Sequence, residues 1–155
     1  MQAHDVMTEL GDLPALVVTR DTTEAEATAA VRALGTLGSC LLGVTRFSGL
    51  TPWELHPDAD ELLYVVEGAV EVTVLIEEGP IVTAVPAGSV FVVPRGRWHR
   101  QHAREHAGLL FATGATDISW ADDPRASADQ SARSLAAVAV QVAEQCVRRR
   151  GIGER

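Results

Sequence analysis

The sequence contains no lysine and no asparagine. Without lysine, Schiff-base formation and lysine general-base chemistry are excluded. Without asparagine there is no acceptor for N-glycosylation. Cysteine is scarce: only Cys40 and Cys146 are present, far apart in the chain. A disulfide framework uses more thiols at closer spacing, so both read as core thiols. Positive charge is also scarce. Thirteen arginines face 21 acidic side chains, leaving a net charge of −8. Nucleic acid and anionic membrane both select a basic footprint, so neither is expected as a partner. The one basic cluster, Arg148-Arg149-Arg150, suits the negative end of a helix dipole. Long apolar runs are missing. Ala69–Ile76 is strand-length, well short of the ~20 residues of a membrane span. Met1–Asp5 has no basic stretch followed by an apolar core, which gives the expectation of a soluble cytoplasmic protein. There is no P-loop, no G-x-S-x-G elbow, no G-x-G-x-x-G and no C-x-x-C.

What remains is a chain of 155 residues, the size of one domain. Residues 1–38 read as a strand, Leu13–Thr19, followed by a helix. Thr23 and Glu26 form a capping box, Ala27, Ala30, Val31 and Leu34 recur at helical spacing, and Gly35 fits the C′ position. Residues 39–116 form the core of the domain. Short β-rich runs are predicted at Cys40–Phe47, Trp53–His56, Glu61–Val66, Ala69–Ile76, Ile81–Val85, Val90–Val93, Trp98–Ala103 and Leu109–Thr113. Glu67-Gly68 and Glu77-Glu78-Gly79-Pro80 read as the turns between them. Many short strands at short spacing predict an all-β sandwich or barrel. Residues 117–155 read as a linker, Trp120–Pro124, and a helix, Ser127–Arg150. Leu135, Val138, Val142 and Cys146 share one face of that helix, which is expected to pack on the barrel or on a second subunit.

Metal ligands need lone pairs converging on one point. Glu54 and His56 are two residues apart and share a strand face. Glu61 opens the next apolar run, and His99 follows the tight Pro94-Arg95-Gly96 turn. The run from Glu54 through His56 and Glu61 to Gly68 resembles the first cupin motif. That motif has two His one residue apart, three or four residues, a Glu, then six residues and a Gly. The run Gly88-Ser89-Val90-Phe91-Val92-Val93-Pro94-Arg95-Gly96-Arg97-Trp98-His99 resembles the second. Two positions depart: Glu54 stands where the family has its first His, and Ala103 where it often has Asn.

The resemblance implies a cupin-type jelly-roll β-barrel with flanking N-terminal and C-terminal helices. It also implies one divalent metal ion held by His56, Glu61 and His99. Glu54 is either a fourth ligand or a catalytic base, and a carboxylate-rich set favours Fe, Mn, Zn or Ni over Cu. Asp58 and His102 are weaker ligand candidates, and His4 and His106 read as solvated. Gln101 shares the parity of His99 and is the first candidate for a substrate contact; Arg97 is the second. Trp53, Trp98 and Tyr64 alternate away from the site and read as packing. Metal binding is expected to weaken below pH ~6, where imidazole takes up a proton. The resemblance further implies a small-molecule metalloenzyme of dioxygenase, isomerase, lyase or cyclase type, or else a non-catalytic ligand-binding or sensing cupin. Cupins of this size often pair, so a homodimer is expected.

Overall fold

The computed structural model describes residues 2–126. The C-terminal helix expected over Ser127–Arg150, with Cys146, lies outside them. The elements in chain order are α1 (Val6–Gly11), β1 (Leu16–Val18), α2 (Glu24–Ala29), β2 (Val31–Leu37), β3 (Cys40–Leu50), β4 (Trp53–Leu55), β5 (Glu61–Ile76), β6 (Gly79–Pro86), β7 (Val90–Val93), β8 (His99–Thr113) and β9 (Asp117–Ser119).

All nine strands among the described residues belong to one sheet, and β8 is its hub. It pairs antiparallel with β3, with β4 and with β5. β5 then carries β6 and β7 along its other side. The sheet therefore curls around its own inner face, giving the all-β barrel that the strand spacing predicts. Alternating residues fill the interior: Leu63 and Val65, then Val70, Val72 and Val74 from β5, with Phe47, Leu109 and Phe111 across. On the outside, Leu10 of α1 and nearby Leu13 cover Val44, with Leu110 and Val66 beside them.

Three expectations are corrected. First, the N-terminal helix is shorter than predicted. Thr23 and Glu26 do form the capping box, but α2 ends at its C-cap, Ala30. Val31–Leu37 pairs antiparallel with β3 instead. Ala30 and Leu34 are both buried, so their spacing imitates a helix face while Leu34 sits in a strand. Gly35 caps nothing; it lies at the register irregularity of β2. Second, Glu67-Gly68 is not a hairpin turn. Glu61–Val66 and Ala69–Ile76 form one strand with register shifts at Val65/Glu67 and Gly68/Glu71. Gly68 has φ of 70°, and a Cβ there would overlap the His106 carbonyl oxygen. Third, Trp98–Ala103 and Leu109–Thr113 are likewise one strand, with Arg104–Gly108 extended between them. The true two-residue turn is Glu77-Glu78, closed by the Ile76–Gly79 pair. Pro80 and Pro86 sit in β6, which pairs only with β5 among the described residues, so their missing N–H groups leave no ladder bond unmade.

Candidate metal centre

Register brings the site together. Glu54 of β4 lies opposite His99 of β8, so both side chains point into the barrel. His56 follows β4, and Glu61 is the first residue of β5. Two bonds fasten the loop between them to the Pro94–Gly96 turn: Gly96 N–H to the His56 carbonyl (2.8 Å) and Arg95 N–H to Asp60 Oδ1 (2.8 Å). Gly96, at φ of 72°, makes that turn possible.

The four side chains converge. One ligand atom from each of Glu54, His56, Glu61 and His99 lies within 4.8 Å of all the others. His99 Nε2 is 2.9 Å from Glu61 Oε2, His56 Nε2 is 3.5 Å from the same oxygen, and Glu54 Oε2 is 3.8 Å from His99 Nε2. His99 is fully buried, while the Glu54 side chain keeps 19% of its surface exposed. Adjacent ligands bonded to one ion at ~2.1 Å stand about 3.0 Å apart at a right angle and about 3.4 Å apart at a tetrahedral angle. The two contacts made by Glu61 Oε2 fall near that range.

The outer nitrogens are occupied. His56 Nδ1 lies 3.1 Å from the Ala115 carbonyl and from Thr116 Oγ1, with Thr113 Oγ1 also at 3.1 Å. His99 Nδ1 lies 3.3 Å from the Arg97 carbonyl. A carbonyl only accepts, so each Nδ1 carries the proton and each Nε2 lone pair faces the cluster. There, Glu61 Oε2 and His99 Nε2 are buried and 2.9 Å apart. With His99 Nε2 unprotonated, two lone pairs face each other, which is costly; a proton on the imidazole or a cation between them would satisfy both. Two carboxylates and two neutral imidazoles also supply the formal charge of −2 that offsets a divalent ion, so the residues present fit a metal.

Electrostatics without a metal follow from the same contacts. Burial pushes the Glu61 carboxyl up, but His56 and His99 outweigh it and hold its pKa at about 2. Burial pushes both imidazoles down; Glu61, and then Glu54, pull each above its ordinary value. Glu54 is raised, chiefly by burial and then by the charge of Glu61.

The remaining candidates separate cleanly. Gln101 is buried two residues beyond His99 on the inner face, and its Oε1 has no hydrogen-bond partner. Arg97 does not join the cluster with its side chain; it is exposed in the turn and contributes only its carbonyl. Asp58 is exposed. His102 faces outward, 3.4 Å from Glu71. His4 pairs with Glu9 at 2.8 Å, and His106 is exposed. Trp53 packs on the outer face beneath the Arg100 guanidinium, 4.3 Å from its ring centre. Trp98 and Tyr64 are partly buried. Sequence reading missed Thr113, Ala115 and Thr116, which no spacing rule links to His56.

Comparison with known proteins agrees with this geometry. A family model for the cupin domain matches residues 48–112, which hold all four cluster residues. Germin-like protein 1-1 of Oryza sativa subsp. japonica is 42% identical over 59 residues, covering 37% of this chain and 27% of that protein. Germin-like protein subfamily 2 member 2 of Arabidopsis thaliana is 43% identical over 67 residues, covering 41% of this chain and 31% of that one. The chain thus spans less than a third of the length of these curated relatives. Among solved structures, protein NMB1881 from Neisseria meningitidis superposes with a TM-score of 0.55 at 16% identity, over 76% of this chain and all of that one. The conserved protein of unknown function SPY1581 from Streptococcus pyogenes gives 0.52 at 18%, over 73% and 86%. With the curled sheet and both motifs in agreement with the family match, residues 48–112 of the chain form a cupin domain.

Proposed function

We propose that this protein holds one divalent ion (Fe, Mn, Zn or Ni) through His56, Glu61 and His99 and acts on a small molecule as a metalloenzyme of dioxygenase, isomerase, lyase or cyclase type. The observation that carries this reading is the convergence of one ligand atom from each of Glu54, His56, Glu61 and His99, with Glu61 Oε2 and His99 Nε2 2.9 Å apart. When bound, the metal supplies Lewis acidity or an open position for a substrate oxygen or O₂.

The protein's own residues set the rest. The Ala115 and Arg97 carbonyls orient the two imidazoles. Glu54 is the least buried member of the cluster and has a raised carboxyl pKa, which suits a base that accepts a proton at Oε2. Gln101 offers the barrel interior an amide oxygen for a substrate hydroxyl or amine. The apolar wall of Val72 and Val74, beside Gln101 and His99 in register, excludes water.

A second reading, a ligand-binding or sensing cupin without catalysis, draws on the 3.8 Å between Glu54 Oε2 and His99 Nε2. If Glu54 ligates, no carboxylate of the cluster is left to move a proton. The Glu54→Gln variant separates the two. As a base, Glu54 can be replaced with metal retained and turnover lost; as a fourth ligand, its replacement lowers metal affinity itself.

A further inference from the structure

A cleft of about 310 Å³ opens on the outer side of the wall that carries the metal cluster. That volume is at the lower limit for a small-molecule site and suits a ligand the size of a metabolite. Trp53 of β4, Thr73 of β5, Val82 of β6 and Arg100 of β8 all contribute to its lining. Trp53 directly precedes Glu54, and Arg100 directly follows His99. The cleft therefore lies behind the strand pair that presents Glu54 and His99 to the barrel interior.

The polar groups of this wall are hydrogen-bond donors left without acceptors. The Arg100 guanidinium stacks 4.3 Å from the centre of the Trp53 ring and makes no ion pair among the described residues. The indole Nε1 of Trp53 is buried and has no hydrogen-bond partner. Thr73, the register partner of Arg100, makes no side-chain hydrogen bond among the described residues. The other cation of the cleft is already engaged. Arg125 grips Asp123 through Nε at 3.0 Å and Nη2 at 2.9 Å, and its Nη1 donates to the Ile76 carbonyl.

We propose that this cleft is a second small-molecule site, separate from the barrel interior, and that it takes a monocarboxylate with a compact apolar body. A carboxylate accepts two parallel bonds from a guanidinium fork. Paired with Arg100 it lies beside the indole, within the reach of the Thr73 hydroxyl, and its body rests on Pro80 and Val82. One negative charge matches the one cation that lacks a carboxylate. A phosphate dianion fits less well, because Asp122 and Asp123 stand in the same lining, and Asp122 is fully exposed with Arg20 no nearer than 3.4 Å.

The test is isothermal titration of the full chain, stripped of metal and dialysed, with sodium benzoate. Removing metal keeps the carboxylate from binding at the His56–Glu61–His99 centre, so the outcome stands apart from the metal reading. Saturable binding at one site is expected, with Kd of about 1 mM or tighter. Benzamide and inorganic phosphate are each expected to bind at least about tenfold more weakly. Arg100→Gln should weaken benzoate at least about tenfold, and Arg100→Lys, which keeps the charge without the fork, by less. Arg32→Gln makes the same charge change on β2 and should leave the Kd unchanged. Circular dichroism checks that each variant keeps the parent β signal. Amide NMR shifts on adding benzoate should cluster at Thr73, Leu75 and Arg100. No saturable binding up to about 10 mM benzoate overturns the proposal. So does equal affinity in Arg100→Gln, phosphate binding tighter than benzoate, or shifts confined to Val72 and Phe111 in the barrel interior.

Discussion

Glu61 and His99 place the most demanding requirement on the proposed metal, because without one their buried 2.9 Å contact is satisfied only when the imidazole holds a proton. His99→Ala deletes a ligand that nothing else on β8 replaces, since Gln101 is an amide and His102 faces outward. Metal affinity is expected to fall at least about 100-fold, read by isothermal titration with Zn(II) or Mn(II). Thr116→Val removes one oxygen from around His56 Nδ1 but leaves the Ala115 carbonyl, so a smaller loss, of about tenfold, is expected in the same titration. The pH dependence follows from the signs. Without metal, His56 and His99 have raised pKa values. Their contribution to stability is full below ~6.5 and fades as pH rises through the raised values. Glu61 contributes above ~4.5 and is lost as pH falls toward about 2. Metal competes with the imidazole protons, so its affinity should climb with pH through a transition above ~6.5 rather than near 6. A metal-induced rise in Tm that is larger at pH 6 than at pH 8 would contradict this.

Elements explain what was legible in the sequence. The cluster was readable because strand periodicity puts Glu54 and His56 on one face, and because the glycines and proline around His99 are turn chemistry. The supports of His56 were not, because Thr113, Ala115 and Thr116 come from the end of β8 and the loop after it, almost sixty residues away. The Val31–Leu34 error came from an apolar spacing compatible with either period, decided in the fold by pairing with β3. Glu67-Gly68 misled for a different reason: a glycine at positive φ serves a strand irregularity as well as a turn. That gives a sharp prediction. Gly68→Ala forces a Cβ against the His106 carbonyl at φ of 70° and should cost at least about 2 kcal/mol in urea unfolding. Gly11→Ala, which meets nothing, is the control and should lie within about 0.5 kcal/mol of the parent.

At the scale of the whole molecule, no helix among the described residues is long and apolar enough to cross a membrane. We propose a homodimer from the β6–β7 edge, which pairs with no further strand among the described residues; light scattering at micromolar concentration should return twice the 16.5 kDa chain mass. The barrel is proposed to hold one divalent ion. Elemental analysis of protein purified without chelator tests it most directly, with anomalous diffraction at the edge of the metal found. The expected result is about one divalent ion per chain, with an anomalous peak within about 2.0–2.3 Å of His56 Nε2, Glu61 Oε2 and His99 Nε2. Protein that binds no Fe, Mn, Zn or Ni at neutral pH, even when each is added, would contradict it and leave the four side chains as a purely structural cluster.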